Sequence, residues 1–221
     1  MNPSAPDLIP EIHLRLEAHY GPRQWKSAQD PVDVLVETIL SQSTTDHNRD
    51  MAFKNLKATY AGWDEVIGIS KEELVETIRF AGLHHQKAER IQTALKTLLK
   101  EQGTFSLDYL KSMAVDEAVK ELTRLPGVGK KTAGIILTFA LNMPYFAVDT
   151  HINRITRRLG WVPPKKDPHD VMNDLVPDDL KGPFHIQLVT HGRQTCKARK
   201  PLCDACVINK FCPVFTDGAP L

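Results

Sequence analysis

The sequence predicts an all-α fold, and three features carry that prediction. Apolar residues recur at intervals of three and four along most of the 221-residue chain, which places them on one face of a helix. The alternation of apolar and polar residues that marks a half-buried strand is absent nearly everywhere. Glycine, proline and short polar side chains separate the periodic segments, as they do at helix ends. We therefore expect helices joined by loops of ordinary length.

Five helices are predicted in the first hundred residues. One ends at Tyr20, before Gly21-Pro22, and the others cover residues 32–40, 47–60, 71–80 and 87–100. Asp46 is the expected cap of the third helix, because a short carboxylate can accept hydrogen bonds from the first free N–H groups. His84-His85, between the fourth and the fifth, are predicted to lie in a solvated turn rather than to bind a metal.

In the second half of the chain, two helices flank a glycine-rich turn. Residues 105–113 are predicted as a turn or short helix, and helices follow over residues 116–122 and from the turn to Leu141. Asp149 is expected to open the next helix, which Pro163-Pro164 ends because proline cannot continue it. The last two predicted helices cover residues 171–176 and 184–195.

The turn between the paired helices is Leu125-Pro126-Gly127-Val128-Gly129, and Lys130-Lys131 follow it directly. Gly127 and Gly129 can adopt backbone angles closed to other residues and let another molecule approach the main chain. The N-terminus of the second helix favours an anion, because its free N–H groups carry partial positive charge. The pattern predicts a helical hairpin that grips a phosphate and presents an amine beside it.

Composition is typical of a globular protein, while the charge is unevenly distributed. No apolar run approaches the ~20 residues of a membrane span and no signal peptide is evident, so we expect a cytoplasmic protein without membrane partners. Residues 122–221 carry 14 Lys and Arg against 8 Asp and Glu, whereas residues 1–121 carry 14 against 19. The second half could form either a basic face for a polyanion or an ordinary solvated surface.

The four cysteines lie close together near the end of the chain, with the spacing C-x6-C-x2-C-x5-C. They are Cys196, Cys203, Cys206 and Cys212. Disulfides are not expected in a cytosolic chain with this arrangement, so a metal site is the better interpretation. A zinc ribbon usually brings two C-x2-C pairs, and here there is one. The spacing favours a structural [4Fe–4S] cluster over zinc, because four thiolates from one uneven loop can bind its iron corners.

Three motifs together give the chain a family resemblance: residues 125–133, residues 148–154 and the cysteine loop. They resemble the endonuclease III family, which are DNA repair glycosylases of the helix–hairpin–helix superfamily with an iron–sulfur cluster. The resemblance implies two α-helical lobes. One is a six-helix barrel over residues 25–143, and the other is a discontinuous iron–sulfur domain of residues 1–24 and 144–221. DNA is expected in the cleft between them.

The resemblance also implies that Lys131 and Asp149 are the catalytic residues, at the mouth of that cleft. A neutral amine can displace a damaged base and form a Schiff base with the deoxyribose, after which the strand breaks by β-elimination. The helix N-terminus and Lys130 are expected to disfavour the ammonium form of Lys131. Asp149 would stabilise positive charge on the sugar. The residues alone allow plainer roles, a phosphate contact for Lys131 and a helix cap for Asp149.

Further residues are candidates for DNA contacts. A base inside a duplex must be flipped out to be reached, and the gap it leaves must be filled. Leu83 resembles the family's apolar wedge, with a buried loop leucine as the alternative. Gln42 is the candidate polar filler, although several relatives have glutamine one position later, where this chain has Ser43. The other predicted DNA-binding residues are Gly127, Gly129, Lys130, His151, Lys197, Arg199 and Lys200.

Two of these assignments stay open at this point. His151 could contact DNA or be a hydrogen-bonded structural residue. Arg154, Arg157 and Arg158 could serve the DNA backbone or simply solvate their helix.

The expected function is that of a bifunctional DNA glycosylase and abasic-site lyase in base excision repair. It would act as a monomer on double-stranded DNA that contains an oxidised pyrimidine or an abasic site, at the nucleoid if the cell is bacterial. The alternatives are a glycosylase of the same superfamily with another lesion preference and a non-catalytic DNA-binding module. Lys131 together with the cysteine loop favours the oxidised-pyrimidine enzyme, because other relatives generally lack one of the two.

Overall fold

The computed structural model describes residues 5–22 and 29–218 of the chain. These residues form helices and loops and contain no strand, so the all-α prediction is confirmed. The chain divides into two compact units. We call Ser27–Met143 the hairpin unit, and Met1–Lys26 with Pro144–Leu221 the cysteine unit. The predicted boundary between residues 24 and 25 lies outside the described residues.

The α-helices of the described residues are numbered in chain order. They are α1 (Ala5–Tyr20), α2 (Pro31–Leu40), α3 (Asp46–Thr59), α4 (Trp63–Gly68), α5 (Lys71–Thr77), α6 (His84–Gln102), α7 (Val115–Thr123), α8 (Lys130–Ile135), α9 (Thr150–Arg158), α10 (Pro168–Leu175), α11 (Lys181–Gln194) and α12 (Pro213–Thr216). Four short 3₁₀ helices accompany them: Arg79–Ala81, Asp108–Ser112, Asp178–Leu180 and Asn209–Phe211. A π-helical segment, Ile136–Ala140, continues α8. None of these helices is long and apolar enough to cross a membrane.

Helix α3 begins one residue earlier than the sequence predicts. Thr45, rather than Asp46, is its cap, since the Thr45 hydroxyl accepts a hydrogen bond from the Asn48 N–H at 3.2 Å. The backbone of Thr45 is extended, with φ −83° and ψ 157°, which a cap residue requires, whereas Asp46 is already helical. Thr45 and Asp46 are adjacent and either side chain can cap a helix, so the sequence alone does not distinguish them.

Other helix ends also differ from the prediction. Helix α6 begins at His84, so the prediction that His84-His85 form a turn is wrong. Leu83 ends the preceding loop in a left-handed conformation, and its carbonyl accepts the first helical bond, from the Lys87 N–H at 3.0 Å. Helices α4 and α12 were not predicted, because six and four residues are too few to show an apolar period.

Each unit has its own buried core. In the cysteine unit, helices α1, α9 and α11 bury Ile12, Ile152 and Leu188 with no exposed surface. In the hairpin unit, helix α2 lies in the core, with seven of its ten residues buried, and it contacts both α6 and α8. Burial of one such aliphatic side chain contributes roughly 1.5–3 kcal/mol, and many of them together fix the helices that carry the loops described next.

Candidate functional site

The glycine-rich turn forms a tight hairpin between α7 and α8. The Leu125 N–H donates to the Leu122 carbonyl at 3.1 Å, and the Val128 N–H donates to the Leu125 carbonyl at 3.0 Å. Leu125 and Val128 are buried, whereas Gly129 is exposed. The turn is therefore anchored by its apolar side chains and presents its last residues to solvent.

The structure requires glycine at position 127 of the hairpin but not at position 129. Gly127 has φ +82°, and a Cβ added there would lie 2.6 Å from Arg90 Cδ, so both conformation and space require glycine. Gly129 has φ −100°, which any residue adopts, and no atom lies within 4 Å of a Cβ added to it. Gly127 therefore uses a backbone conformation that other residues avoid, whereas Gly129 has an ordinary conformation and leaves open space beside the main chain.

Lys130 and Lys131 are the first two residues of α8, as predicted, and both are partly exposed. Successive residues of a helix project about 100° apart, so the two side chains leave α8 in different directions. The helical segment runs on from α8 through Ala140.

Gln42 lies beside the hairpin, and both the nitrogen and the oxygen of its side-chain amide form hydrogen bonds. Its Nε2 donates to the Gly127 carbonyl at 2.7 Å, and Arg90 Nη1 donates to its Oε1 at 2.7 Å. The next residue, Ser43, is exposed and has φ +52°. The structure thus brings Gln42 to the hairpin, and it leaves Ser43 on the surface of the loop.

Leu83 lies on a second exposed loop of the hairpin unit. Its side chain is 57% exposed and its φ is +46°, which is uncommon for a residue with a branched side chain. The alternative that Leu83 is a buried loop leucine is therefore wrong. An exposed leucine held in a left-handed conformation suits an apolar wedge.

Lys87, which the sequence analysis missed, joins these two loops from within the core. Its side chain is 1% exposed, and Nζ donates to the carbonyls of Leu40 at 2.8 Å and Ala81 at 2.7 Å. Burial, and to a smaller extent the nearby Arg90 charge, lowers the pKa of Lys87 to about 8. A signal existed, because Lys87 stands four residues before Ile91 on the apolar face of α6.

In the cysteine unit, Asp149 caps α9, as the sequence predicts. Its Oδ1 accepts a hydrogen bond from the Ile152 N–H at 2.8 Å. Because one carboxylate oxygen is fixed by its own helix, the direction of the carboxyl group is fixed as well.

The apolar segment before Asp149 is extended, and side chains from α10 and α11 hold it. Asn173 accepts from the Phe146 N–H at 2.7 Å and donates to the Phe146 carbonyl at 3.1 Å. His185 Nδ1 lies 2.8 Å from the Ala147 carbonyl, and Lys181 Nζ donates to the Pro144 carbonyl at 3.1 Å. These three residues were not predicted, and no local pattern marks them.

His151 and Arg154 lie against the end of α11. Arg154 Nη2 is 3.0 Å from His151 Nδ1, and the same guanidinium donates to the carbonyls of Gly192 at 2.9 Å and Cys196 at 2.8 Å. A Cβ added to Gly192 would lie 2.6 Å from His151 Cβ. Arg154 therefore holds the start of the cysteine loop, which is neither of the roles considered for it.

Arg157 and Arg158 also donate hydrogen bonds to backbone carbonyls. Arg158 Nη1 donates to Cys196 Sγ at 3.2 Å and to the Lys197 carbonyl at 2.8 Å, while Arg157 donates to the Pro163 carbonyl at 2.8 Å. The side chains of Lys197, Arg199 and Lys200 are exposed, as expected of a basic loop that meets an anion. Arg154 and Arg158 fasten the cysteine loop, whereas Arg157 holds the segment after α9, and the cysteine loop carries the exposed basic side chains.

The four cysteines line one cavity, together with Arg158 and His191. Within residues 5–22 and 29–218, no three His, Cys, Asp or Glu side chains approach closely enough to hold a single metal ion. Sulfurs spread around a cavity fit a polynuclear group better than one zinc ion. Burial raises the pKa of the Cys206 thiol to about 11 and also raises that of Cys212, so metal must displace their protons on binding.

His191 completes the surroundings of the cysteines. It is buried, and burial lowers its pKa to about 4, so it is neutral near pH 7. Its Nδ1 lies 2.9 Å from the Tyr20 hydroxyl, and its Nε2 lies 3.7 Å from Cys206 Sγ, within hydrogen-bond reach of sulfur. A fixed neutral imidazole beside one sulfur and a guanidinium beside another give the cluster site oriented donors.

Two stretches of the chain match known families and define its class. Residues 36–177 match the HhH-GPD superfamily of base excision DNA repair proteins. Residues 196–212 match the iron–sulfur binding domain of endonuclease III. The fold and the cysteine site are thus those of a helix–hairpin–helix base excision repair protein with an iron–sulfur domain, and the cofactor prediction of a [4Fe–4S] cluster held by the four cysteines is confirmed.

Individual relatives narrow the class. Endonuclease III of Thermotoga maritima is 37% identical over 196 residues, which cover 88% of this chain and 87% of that protein. A non-covalent endonuclease III–DNA complex matches with a TM-score of 0.81 at 25% identity, over 98% of both chains. A trapped endonuclease III–DNA covalent intermediate matches with the same TM-score at 26% identity, over 96% of this chain and 98% of that one.

This chain belongs to the endonuclease III family, whose members are DNA glycosylases and AP lyases of base excision repair. Membership confirms the predicted resemblance and fold, and it favours an enzyme over the alternative of a non-catalytic DNA-binding module.

Proposed function

We propose that the enzyme removes oxidised pyrimidines from double-stranded DNA and then cleaves the abasic strand, with Lys131 as the nucleophile. The supporting observation is the position of Lys131 at the start of α8, directly after a hairpin whose exposed end leaves the backbone open to a phosphate. A similar solved structure is a trapped covalent intermediate with DNA, which supports covalent catalysis in this chain.

In the proposed reaction, the neutral Lys131 amine attacks the sugar carbon that carries the damaged base. The bond between sugar and base breaks, and the base leaves with the electron pair and takes up a proton. Opening of the sugar ring gives a Schiff base, which acidifies the neighbouring carbon. Loss of that proton expels the 3′ phosphate by β-elimination, and water releases the lysine from the product.

Asp149 is proposed to stabilise positive charge on the sugar while the base departs. Its cap bond to the Ile152 N–H holds the carboxylate in one direction, so no reorganisation is needed when the charge develops. The cluster, held by Cys196, Cys203, Cys206 and Cys212, supplies a structural centre for the basic loop of Lys197, Arg199 and Lys200.

The proposed substrate is a duplex with an oxidised pyrimidine or an abasic site, bound by a monomer. Because that substrate is genomic, we expect the enzyme at the nucleoid if its cell is bacterial. A reducing cytoplasm would also keep the four thiols available for iron.

Borohydride trapping with abasic duplex DNA tests the lysine assignment. Wild type should form a covalent adduct and Lys131→Ala should form none. Lys130→Ala is the matched control, and it should keep the adduct while losing DNA affinity by about tenfold or less, as expected of a phosphate contact. An undiminished adduct from Lys131→Ala, or its loss only in Lys130→Ala, would contradict the assignment of Lys131 as the nucleophile.

Asp149 can be tested separately from its role as a cap. Asparagine caps a helix about as well as aspartate, so Asp149→Asn should change the free energy of unfolding by less than ~0.5 kcal/mol. Base excision should nevertheless fall by at least ~100-fold, because the charge is lost. Full activity in Asp149→Asn would leave Asp149 as a cap alone.

A panel of duplexes, each with one damaged base, identifies the lesion class. Excision of other lesions in preference to oxidised pyrimidines would favour the alternative specificity.

A further inference from the structure

The end of helix α1 contacts the surroundings of the cysteines. The hydroxyl of Tyr20, the last residue of α1, lies 2.9 Å from His191 Nδ1 and 2.7 Å from Thr195 Oγ1. The Tyr20 ring lies edge-on to the imidazole, with 6.0 Å between the ring centroids. His191 is 1% exposed and Thr195 is 8% exposed. The three side chains therefore form hydrogen bonds with one another inside the cysteine unit.

The backbone that carries His191 and Thr195 also begins the cysteine loop. The His191 carbonyl accepts hydrogen bonds from the N–H groups of Thr195 at 2.9 Å and Cys196 at 2.8 Å. The Thr195 carbonyl accepts from the N–H groups of Lys197 at 2.9 Å and Leu202 at 3.0 Å. Both side chains therefore start from a backbone that several hydrogen bonds hold in place.

The directions of these hydrogen bonds follow once Cys206 binds iron as a thiolate. A thiolate only accepts, so Nε2 of His191, 3.7 Å from Cys206 Sγ, must carry a hydrogen to bond it. A neutral imidazole has one N–H, which leaves Nδ1 as an acceptor. The Tyr20 hydroxyl then donates to Nδ1, and its oxygen accepts from the Thr195 hydroxyl. Every donor thus points the same way, from Thr195 through Tyr20 and His191 to Cys206.

We propose that Tyr20 is a positioning residue for the iron–sulfur cluster, because with Thr195 it fixes the His191 tautomer whose Nε2–H donates to the Cys206 ligand. We call Thr195, Tyr20 and His191 the donor chain. Hydrogen bonds in a chain polarise and strengthen one another. A hydrogen bond to a ligand sulfur withdraws electron density and so raises the reduction potential of a cluster. This role lies outside the glycosylase reaction and does not depend on the lysine chemistry.

The reduction potential of the cluster, measured by voltammetry on the purified protein, tests the proposal. The cluster gives one electron to the electrode, and no covalent bond forms or breaks. Tyr20→Phe keeps the ring but removes the donor to His191, so the cluster should become easier to oxidise. The redox equilibrium should shift about fivefold toward the oxidised form, which is about 40 mV for one electron. Thr195→Val should shift it by only about twofold, because the Thr195 hydroxyl acts through Tyr20.

Tyr145→Phe is the matched control, because the cysteine unit holds a second tyrosine–histidine pair. The Tyr145 hydroxyl lies 3.5 Å from His169 Nδ1, and neither residue is among those that line the cysteine cavity. Loss of this hydroxyl should leave the reduction potential unchanged.

A double variant tests the order of the donor chain. Tyr20→Phe combined with Thr195→Val should have the potential of Tyr20→Phe alone, since Thr195 cannot act on His191 without the Tyr20 hydroxyl. Iron content and thermal melting check that each variant is loaded and folded.

Three results would overturn the proposal: wild-type potentials in both single variants, an equal shift in Tyr145→Phe, or a Thr195→Val shift that adds to that of Tyr20→Phe. If Tyr20→Phe does not load iron, Thr195→Val decides alone. A lowered potential in that variant supports the donor chain, and an unchanged potential overturns it.

Discussion

The two units hold their functional segments in different ways. In the hairpin unit, side chains from the protein interior fasten the irregular backbone, with Lys87 bonded to two loop carbonyls and Gln42 to the hairpin. In the cysteine unit, Arg154 and Arg158 hold the backbone around Cys196, and we expect the rest of the loop to depend more on its sulfur ligands. We therefore expect the hairpin unit to complete its site by folding and the cysteine unit to require iron.

This difference follows from where the apolar residues lie. Loop carbonyls that leave water must find donors, and in both units long cationic side chains supply them. The loops of the hairpin unit rest on the buried face of α6, so Lys87 is fixed by the core. Residues 197–205 of the cysteine loop have no fully buried side chain, so packing adds little there. We expect the cluster to take the place of a core under this loop.

Removal of iron is the strongest test of this comparison. Purified protein should be brown and carry about four iron atoms. After chelation, amides of residues 196–218 should exchange hydrogen rapidly, because the four thiolates no longer share a centre, while amides of α2 and α6 stay protected. Hydrogen exchange followed by mass spectrometry measures both. Equal loss of protection in the two units would show that the hairpin unit also depends on the cluster.

The sequence predicted what neighbouring residues encode. Helical periods, the glycine hairpin and the cysteine spacing are local patterns, and the predicted helices, the Asp149 cap and the cluster follow from them. The Thr45 cap was assigned one residue late, because Asp46 offers the same chemistry. The catalytic roles of Lys131 and Asp149 remain predictions, since a static fold places these groups without showing a reaction.

Contacts between distant residues could not be predicted. The Lys87–Leu40 bond spans 47 residues and the Arg154–Cys196 bond spans 42, and neither partner marks the other in sequence. Lys87 alone carried a hint, because a lysine on an apolar helix face must be paired when buried. The positions of Asn173 and His185 depend on how α10 and α11 dock, which single-sequence patterns do not specify.

The buried amine of Lys87 should give the hairpin unit a distinctive pH dependence. Its pKa falls from 10.5 in the unfolded chain to about 8 in the folded one, so between these pH values the unfolded state binds more protons. Stability should therefore rise with pH across this window, by up to about 3 kcal/mol relative to Lys87→Met. Urea unfolding of wild type and variant at several pH values measures the difference.

Lys96→Met is the control for that measurement, because Lys96 lies exposed on the same helix. The difference between wild type and Lys96→Met should stay flat over the same range. A flat difference for Lys87→Met as well, or one that falls with rising pH, would mean that burial does not lower the pKa of Lys87 in the folded protein.

The smallest expected effects separate the two hairpin glycines. Gly127→Ala places a methyl group against Arg90 at a φ that alanine avoids, so the free energy of unfolding should fall by roughly 1–2 kcal/mol. Gly129→Ala meets no atom within 4 Å and has an ordinary φ, so stability should be unchanged or rise by up to about 1 kcal/mol. If DNA approaches the exposed Gly129 backbone, this stable variant should still lose affinity for undamaged duplex DNA, by about tenfold. Urea unfolding measures the stability of both variants, and binding titrations measure their DNA affinity. A Gly129→Ala protein that binds as tightly as wild type would show that DNA does not contact the Gly129 backbone.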